Sequence, residues 1–243
     1  MNERSLLSEM QHLLRVLSSR FAHLPSYGMV RFGSLGRTTP IEHGFDHERG
    51  KFIDRYYIDQ FMQQRASFIR GNALEIEGDI YTRLFGGDRV THCDVLDLRP
   101  GHHGATITGD LTSPDCLAAN AYDCEVVTQT LNYLYDVRSA IRTLWTALKP
   151  GGSLIVSVSG IAQIAPEEAR YCGDFWRFTS FSLHRHLEEF FPPDQIEVIP
   201  YGNVLSAIAF LHGLAAEELK EEDLQFNDPE YQLVICAHAV KQA

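Results

Sequence analysis

The chain has 243 residues, 44% of them hydrophobic and 22% charged. That is ordinary globular composition, with enough length to bury a large core, and it excludes disordered, collagen-like and coiled-coil architectures. A formal net charge of −11 leaves no basic stripe to displace counterions from nucleic-acid phosphates, and no apolar run approaches the roughly 20 residues of a membrane span. The charged start MNERSLLSEMQHLL is no secretory signal, so the expectation is a cytoplasmic protein without nucleic-acid or membrane partners.

Leu6, Met10, Leu13, Leu14 and Leu17 fall on one stripe at helical spacing, predicting an amphipathic helix over residues 4–20. Phe21 to Gly50 carries scattered Gly and Pro without a period and reads as an irregular connector. Helical spacing returns from Asp54 to Arg70 through Tyr57, Phe61 and Phe68, stopped by Gly71-Asn72. Short apolar runs then follow at 73–76, 90–96, 105–108 and 122–128. Asp136 is placed to cap a helix whose inner face holds Val137, Ile141, Leu144, Trp145 and Leu148, and Lys149-Pro150-Gly151-Gly152 closes it. Residues 153–159 (SLIVSVS) are apolar on both faces, as in a central strand. Strands interleaved with helices predict a parallel sheet with right-handed crossovers. Two late strands, 195–199 and 231–239, flank an apolar helix over 203–219 and are expected to close the sheet as an antiparallel edge. That helix is apolar over most of its circumference, so it is expected to be buried on more than one side, as a lid or a dimer seam. The domain division that follows is an N-terminal helix and irregular cover over 1–52, then one domain over 53–243 with the 203–219 helix as an insertion. The five cysteines lack C-x-x-C spacing, which predicts neither a disulfide framework nor a metal site.

In an open parallel sheet, ligands bind at the carboxyl ends of the strands. Polar residues recur there: Glu75, Glu77, Gly78 and Asp79 after the first strand, Asp94 near the end of the second with Asp97 following, Asp110-Leu111 after the third, and Thr128-Gln129-Thr130 after the fourth. A carboxylate at the second position can accept from both ribose hydroxyls, and one at the third from an adenine amine. Together they describe a nucleoside pocket.

Strand-end acids in this order, then YDCEVVTQTLNYLYD, then a helix ending in LKPGGSLIVSV, resemble the class I S-adenosylmethionine-dependent methyltransferases over about Ile53 to Val240. The resemblance implies an α/β, Rossmann-like fold: a seven-stranded, mostly parallel sheet with its last strand antiparallel between the fifth and sixth. It also implies S-adenosylmethionine as cofactor. Glu75 would orient its amino group, Asp94 or alternatively Asp97 its ribose, and Asp110 and Leu111 its adenine. Thr128 and Gln129 would form the floor beneath the sulfonium, Gly78 would let the backbone approach, and Tyr57 would close over the methionine end. GDFWRFTS (173–180) is similar to members acting on sugars or small metabolites. RGKFIDRYYIDQFM and YGNVLSAIAFLHGLA resemble a subgroup found beside glycosyltransferases in polysaccharide biosynthesis.

The implied reaction is O-methylation of a hydroxyl on a small molecule or sugar, with Asp174 as general base and His43 or Asp54 as alternatives. Arg177 is either paired with an acid such as Asp174 or waiting for an anionic substrate, and Trp176 offers a sugar-facing wall. One departure is plain. The family's acid-x-Gly-x-Gly turn is here Glu75-Ile76-Glu77-Gly78-Asp79, so two glycine positions hold acids. A compensating cation for the cofactor carboxylate is then expected from Arg49, Arg55 or Arg83. A catalytically inactive methyltransferase-like scaffold that binds a partner through the N-terminal and 203–219 helices is the alternative reading. A nicotinamide dehydrogenase is not expected, because no G-x-G-x-x-G follows Ile76.

Overall fold

In a computed structural model of the protein, the described residues are 25, 29–43 and 49–242. The expected helix over 4–20 lies outside them. The chain divides into two units, residues 1–39 and 40–243, and the described part of the first holds a short 3-10 turn at Gly33–Leu35. The division thus falls before Pro40, ahead of the expected start at 53. Within the second unit, the Ile41 and Glu42 N–H groups donate to the His212 carbonyl, and Ala216 N–H donates to that of Lys51.

Seven strands form one sheet: β1 (Gly71–Ile76), β2 (Val90–Asp97), β3 (Ile107–Thr108), β4 (Tyr122–Thr128), β5 (Leu148–Ser159), β6 (Ile196–Tyr201) and β7 (Val234–Val240). Their order is β3-β2-β1-β4-β5-β7-β6. Strands β1 to β5 pair in parallel, and β7 runs antiparallel between β5 and β6, the topology that the resemblance implied. Strand order reverses between β1 and β4, so the crossovers open a crevice at the carboxyl ends of those two strands.

One face of the sheet carries α1 (Ile53–Arg65) and α5 (Val204–Leu211), which bury Ile53, Tyr57, Ile58, Phe61, Ala207 and Phe210 against Val126, Ile155, Val234 and Cys236. The other face carries α2 (Val137–Ala147) and α4 (Ser180–Leu187), whose Ile141, Leu144, Leu183 and Leu187 meet Leu74, Val127, Leu154 and Val156. Between them α3 (Pro166–Tyr171) follows β5, and α6 (Glu221–Gln225) precedes β7. Asp136 caps α2 as expected, accepting from Ser139 N at 2.9 Å. Asp136→Ala should cost about 1 kcal/mol, read as a lower urea midpoint at unchanged slope.

The 203–219 helix is shorter than its composition predicts. Asn203 caps it through Ser206 N at 2.9 Å, but α5 ends at Leu211 because Gly213 adopts φ +72°, where the chain turns. A Cβ at Gly213 would stand 2.4 Å from the Glu42 carbonyl oxygen. The helix is buried on one side only: Val204, Leu205, Ile208 and Leu211 are each at least 40% exposed. Among the described residues no helix is long and apolar enough to cross a membrane.

Candidate cofactor and acceptor site

The carboxyl end of β2 is later than the sequence pattern indicates. β2 runs on to Asp97, whose Cα pairs with Thr108 of β3, so Asp94 stands three residues back, about 10 Å from the tip. Asp94 is held inside the sheet by Thr106 Oγ1 at 2.8 Å and Tyr122 OH at 3.1 Å, with His92 Nε2 at 3.3 Å. Asp97, the alternative, is the carboxylate at the tip. It is 1% exposed and accepts from Arg99 N (2.7 Å) and Nε (3.1 Å) on Oδ1 and from Arg99 Nη2 (3.0 Å) on Oδ2, with His102 Nδ1 at 2.8 Å. Burial alone would raise its pKa, but these partners hold it below the ordinary carboxylate range.

Asp110 follows at the end of β3. Its Oδ1 accepts from Thr112 N and Oγ1 at 2.8 and 2.7 Å, leaving Oδ2 for a ligand. The Leu111 side chain is buried in the core, so it packs the sheet and not a base. Exposed Leu98, beside Asp97, is an apolar candidate that sequence reasoning missed.

The turn after β1 explains the departure from glycine. Glu77 adopts φ +66°, the left-handed conformation that glycine takes without strain. Its side chain is 64% exposed and does not fill the crevice. Asp79 pairs with Arg83, Oδ2 to Nε 2.6 Å. A Cβ on Gly78 would meet nothing within 4 Å, so this backbone remains approachable. Glu75, however, is buried and accepts from Tyr81 N (3.0 Å), Thr82 N (2.8 Å) and Thr82 Oγ1. It fastens the helical turn after β1, so both its oxygens are committed to the chain's own Tyr81 and Thr82 and its side chain is buried away from the crevice.

Beyond the tips of β4 and β5 lies a cavity of about 200 Å³ lined by Asp54, Arg55, Gln129, Asn132, Tyr133, Ser159, Glu168 and Arg177, among others. Gln129, at φ +50°, accepts from Asn132 Nδ2 (3.0 Å) and Ser159 Oγ (2.7 Å) through Oε1, and Thr128 precedes it at the end of β4. Asp54 is 7% exposed; its Oδ1 accepts from Arg55 N at 2.8 Å, and burial raises its pKa. The Arg55 guanidinium donates one bond, Nη1 to Tyr81 OH at 3.2 Å, and makes no ion pair among the described residues. Of the three expected cations it alone faces this cavity unpaired: Arg49 bonds Glu218, and Arg83 bonds Asp79. Phe52, Gln163, Glu168 and Phe210 are shared with an outer groove of about 750 Å³ that includes His43, Ile164 and Leu211.

Four expectations are corrected by side-chain placement besides Asp94, Glu75 and Leu111. Tyr57 is fully buried, donates to the Leu224 carbonyl at 3.0 Å and stacks on Tyr201, so it cannot close over a ligand. Asp174 is locked by Arg177 Nη1 and Nη2 (2.5 and 2.9 Å) and by Ala165 N. Burial would raise its pKa, but these bonds hold it below the ordinary range, which makes it a poor base. Arg177 also donates to the carbonyls of Ala162, Gln163 and Trp176, so it organises the cavity wall and is not waiting for an anion. Trp176 donates Nε1 to the Leu134 carbonyl at 3.0 Å and stacks on Tyr135, outside the cavity lining.

A parallel sheet closed by a reversed β7, with an acid at the tip of β2 and an Asp-Leu after β3, defines the class I methyltransferase fold. Residues 88–156, from the start of β2 into β5, match the sequence profile of a methyltransferase domain family. An S-adenosylmethionine-dependent methyltransferase from Archaeoglobus fulgidus is similar in structure, at 10% identity over 79% of this chain and 96% of that one, with a TM-score of 0.52. So is phosphoethanolamine N-methyltransferase 2 of Haemonchus contortus with S-adenosyl-L-methionine, at 14% identity over 77% and 53% of the two chains and a TM-score of 0.52. No curated protein sequence matches the chain. The match marks a methyltransferase-domain segment and the fold is that of class I methyltransferases, whose cofactor would be S-adenosylmethionine. The donor set fits that molecule: an acid at the β2 tip for two hydroxyls, the free Asp110 Oδ2 for an amine, and open backbone at Gly78.

Proposed function

We propose that this protein moves the methyl group of S-adenosylmethionine to a hydroxyl of a small molecule or sugar seated in the cavity at the ends of β4 and β5. Asp97 would take the ribose, Asp110 the adenine amine, and Gly78 and Gln129 the methionine arm. Arg55 would face that arm's carboxylate. The observation that carries the reading is the cavity itself. It brings a guanidinium that makes no ion pair among the described residues beside a buried carboxyl, Asp54, whose Oδ1 accepts from Arg55 N.

Methyl transfer is an in-line displacement for which the cofactor supplies an activated methyl. The protein's part is alignment and exclusion of water. A hydroxyl is a weak nucleophile, and Asp54, made more basic by burial, is placed to accept its proton. Asp54 takes the role that sequence reasoning gave first to Asp174. The outer groove supports an acceptor larger than the cavity, with a body lying along Ile164, Phe210 and Leu211. The polysaccharide-pathway setting rests on the sequence resemblance alone.

The experiment is transfer of labelled methyl to a panel of sugar and phenolic hydroxyls. Asp54→Asn should lower transfer by roughly 100-fold or more, with affinity for S-adenosylhomocysteine within about twofold of wild type. Equal transfer by the variant removes Asp54 from the chemistry, and transfer to carboxylates but to no hydroxyl removes the acceptor class.

A further inference from the structure

Arg99 presents two parallel N–H donors, Nε and Nη2, to the two oxygens of Asp97 at 3.1 and 3.0 Å. A ribose presents two neighbouring hydroxyls to such a carboxylate in the same way. Asp97 Oδ1 also keeps a second donor that a ribose need not displace, Arg99 N at 2.7 Å, and His102 Nδ1 stands 2.8 Å from Oδ2 without hydrogen-bond geometry. With two acceptor sites per oxygen, the guanidinium fills the pair of positions that the hydroxyls would need.

The other near neighbour of this guanidinium is Glu77. Its Oε1 stands 3.7 Å from Arg99 Nη2, with the Glu77 side chain 64% and the Arg99 side chain 41% exposed. Neither is packed in place, and the separation is short of a direct bond. Glu77 is the residue held in a left-handed conformation where glycine would be unstrained. A costly residue at a glycine position calls for a compensating use.

Resting on the cofactor site proposed above, we infer that Arg99 is a latch. Its fork rests on Asp97, swings to Glu77 when the ribose arrives, and there closes over the bound nucleoside. Arg99 and Glu77 are positioning residues, acting on affinity and not on the methyl. The exchange is of one ion pair for another, so the departing guanidinium is never left without a carboxylate. The acid at the glycine position is then part of cofactor capture and not a sign of a decayed site.

A double-mutant cycle read by calorimetry with S-adenosylhomocysteine tests this. Glu77→Gln should weaken binding roughly tenfold in the wild-type background and less than twofold in Arg99→Met. Without ligand, Glu77→Gln should move the melting temperature little, because the Glu77–Arg99 pair is long at 3.7 Å and exposed, whereas Arg99→Met should lower it by removing the bonds to Asp97. Equal losses in both backgrounds, or no loss in either, overturns the latch while leaving the cofactor site standing. No binding by any of the four proteins overturns both.

Discussion

Replacing Asp97 by Asn should weaken binding of S-adenosylhomocysteine by about 100-fold, whereas Asp94→Asn should change it by less than about threefold. Asp97 stands at the β2 tip with both oxygens facing donors. Two hydroxyls bonded to a carboxylate contribute about 1.5–3 kcal/mol each, and the amide keeps one acceptor and turns a donor towards the other hydroxyl. A net loss near 3 kcal/mol corresponds to the expected factor. Asp94 is committed to Thr106 Oγ1 and Tyr122 OH, so its variant should lower the melting temperature instead. Calorimetric titration of both variants separates the two roles. Intact affinity in Asp97→Asn with lost affinity in Asp94→Asn would place the ribose elsewhere.

The contrast between these acids shows what the sequence carries. Alternation and turn residues located every strand of the sheet, and the late pair announced the antiparallel edge, because hydrophobic period is set by which face is buried. Strand ends are not fixed by that period. The apolar run ends at Leu96, and the extra residue that brings Asp97 to the tip depends on pairing with Thr108, a contact distant in sequence. Side-chain partners were harder still. Glu75 matched the position of a ligand-facing acid, yet the N–H groups of Tyr81 and Thr82 claim it. Asp174 and Arg177 were read as either a pair or two site residues, and three residues apart they satisfy each other. Asp54 gained its standing only from the cavity that α1, β4 and β5 enclose, which no local pattern encodes. Arg99 offered no motif at all. Its meaning comes from standing between an acid at the β2 tip and an acid in the turn after β1.

Glu125→Met should stabilise the protein by about 2 kcal/mol near neutral pH, an uncommon sign for a core substitution. Glu125 lies in the middle of β4 with its Cα in register with Leu74 and Leu154, so its side chain enters the apolar layer beneath α2. It is fully buried, and neither oxygen has a hydrogen-bond partner. Burial drives its pKa well above the usual carboxyl value, opposed by the charge of Lys241. That ammonium is held by the carbonyls of Leu148 and Trp145 at 2.7 and 2.8 Å and makes no ion pair with Glu125. The folded protein therefore keeps a proton that the unfolded chain releases above its own pKa of about 4.3. Below that value both states are protonated and the wild type is least disadvantaged; as pH rises towards the folded pKa, its stability falls by up to about 1.4 kcal/mol per pH unit. Methionine removes the proton and fills similar volume. Urea unfolding of both proteins between pH 5 and 8 should show the gap widening as pH increases. A constant gap would mean that Glu125 is ionised in the folded state, paired with Lys241 across the core. A less stable variant at every pH would mean that the carboxyl has a bonding partner in solution.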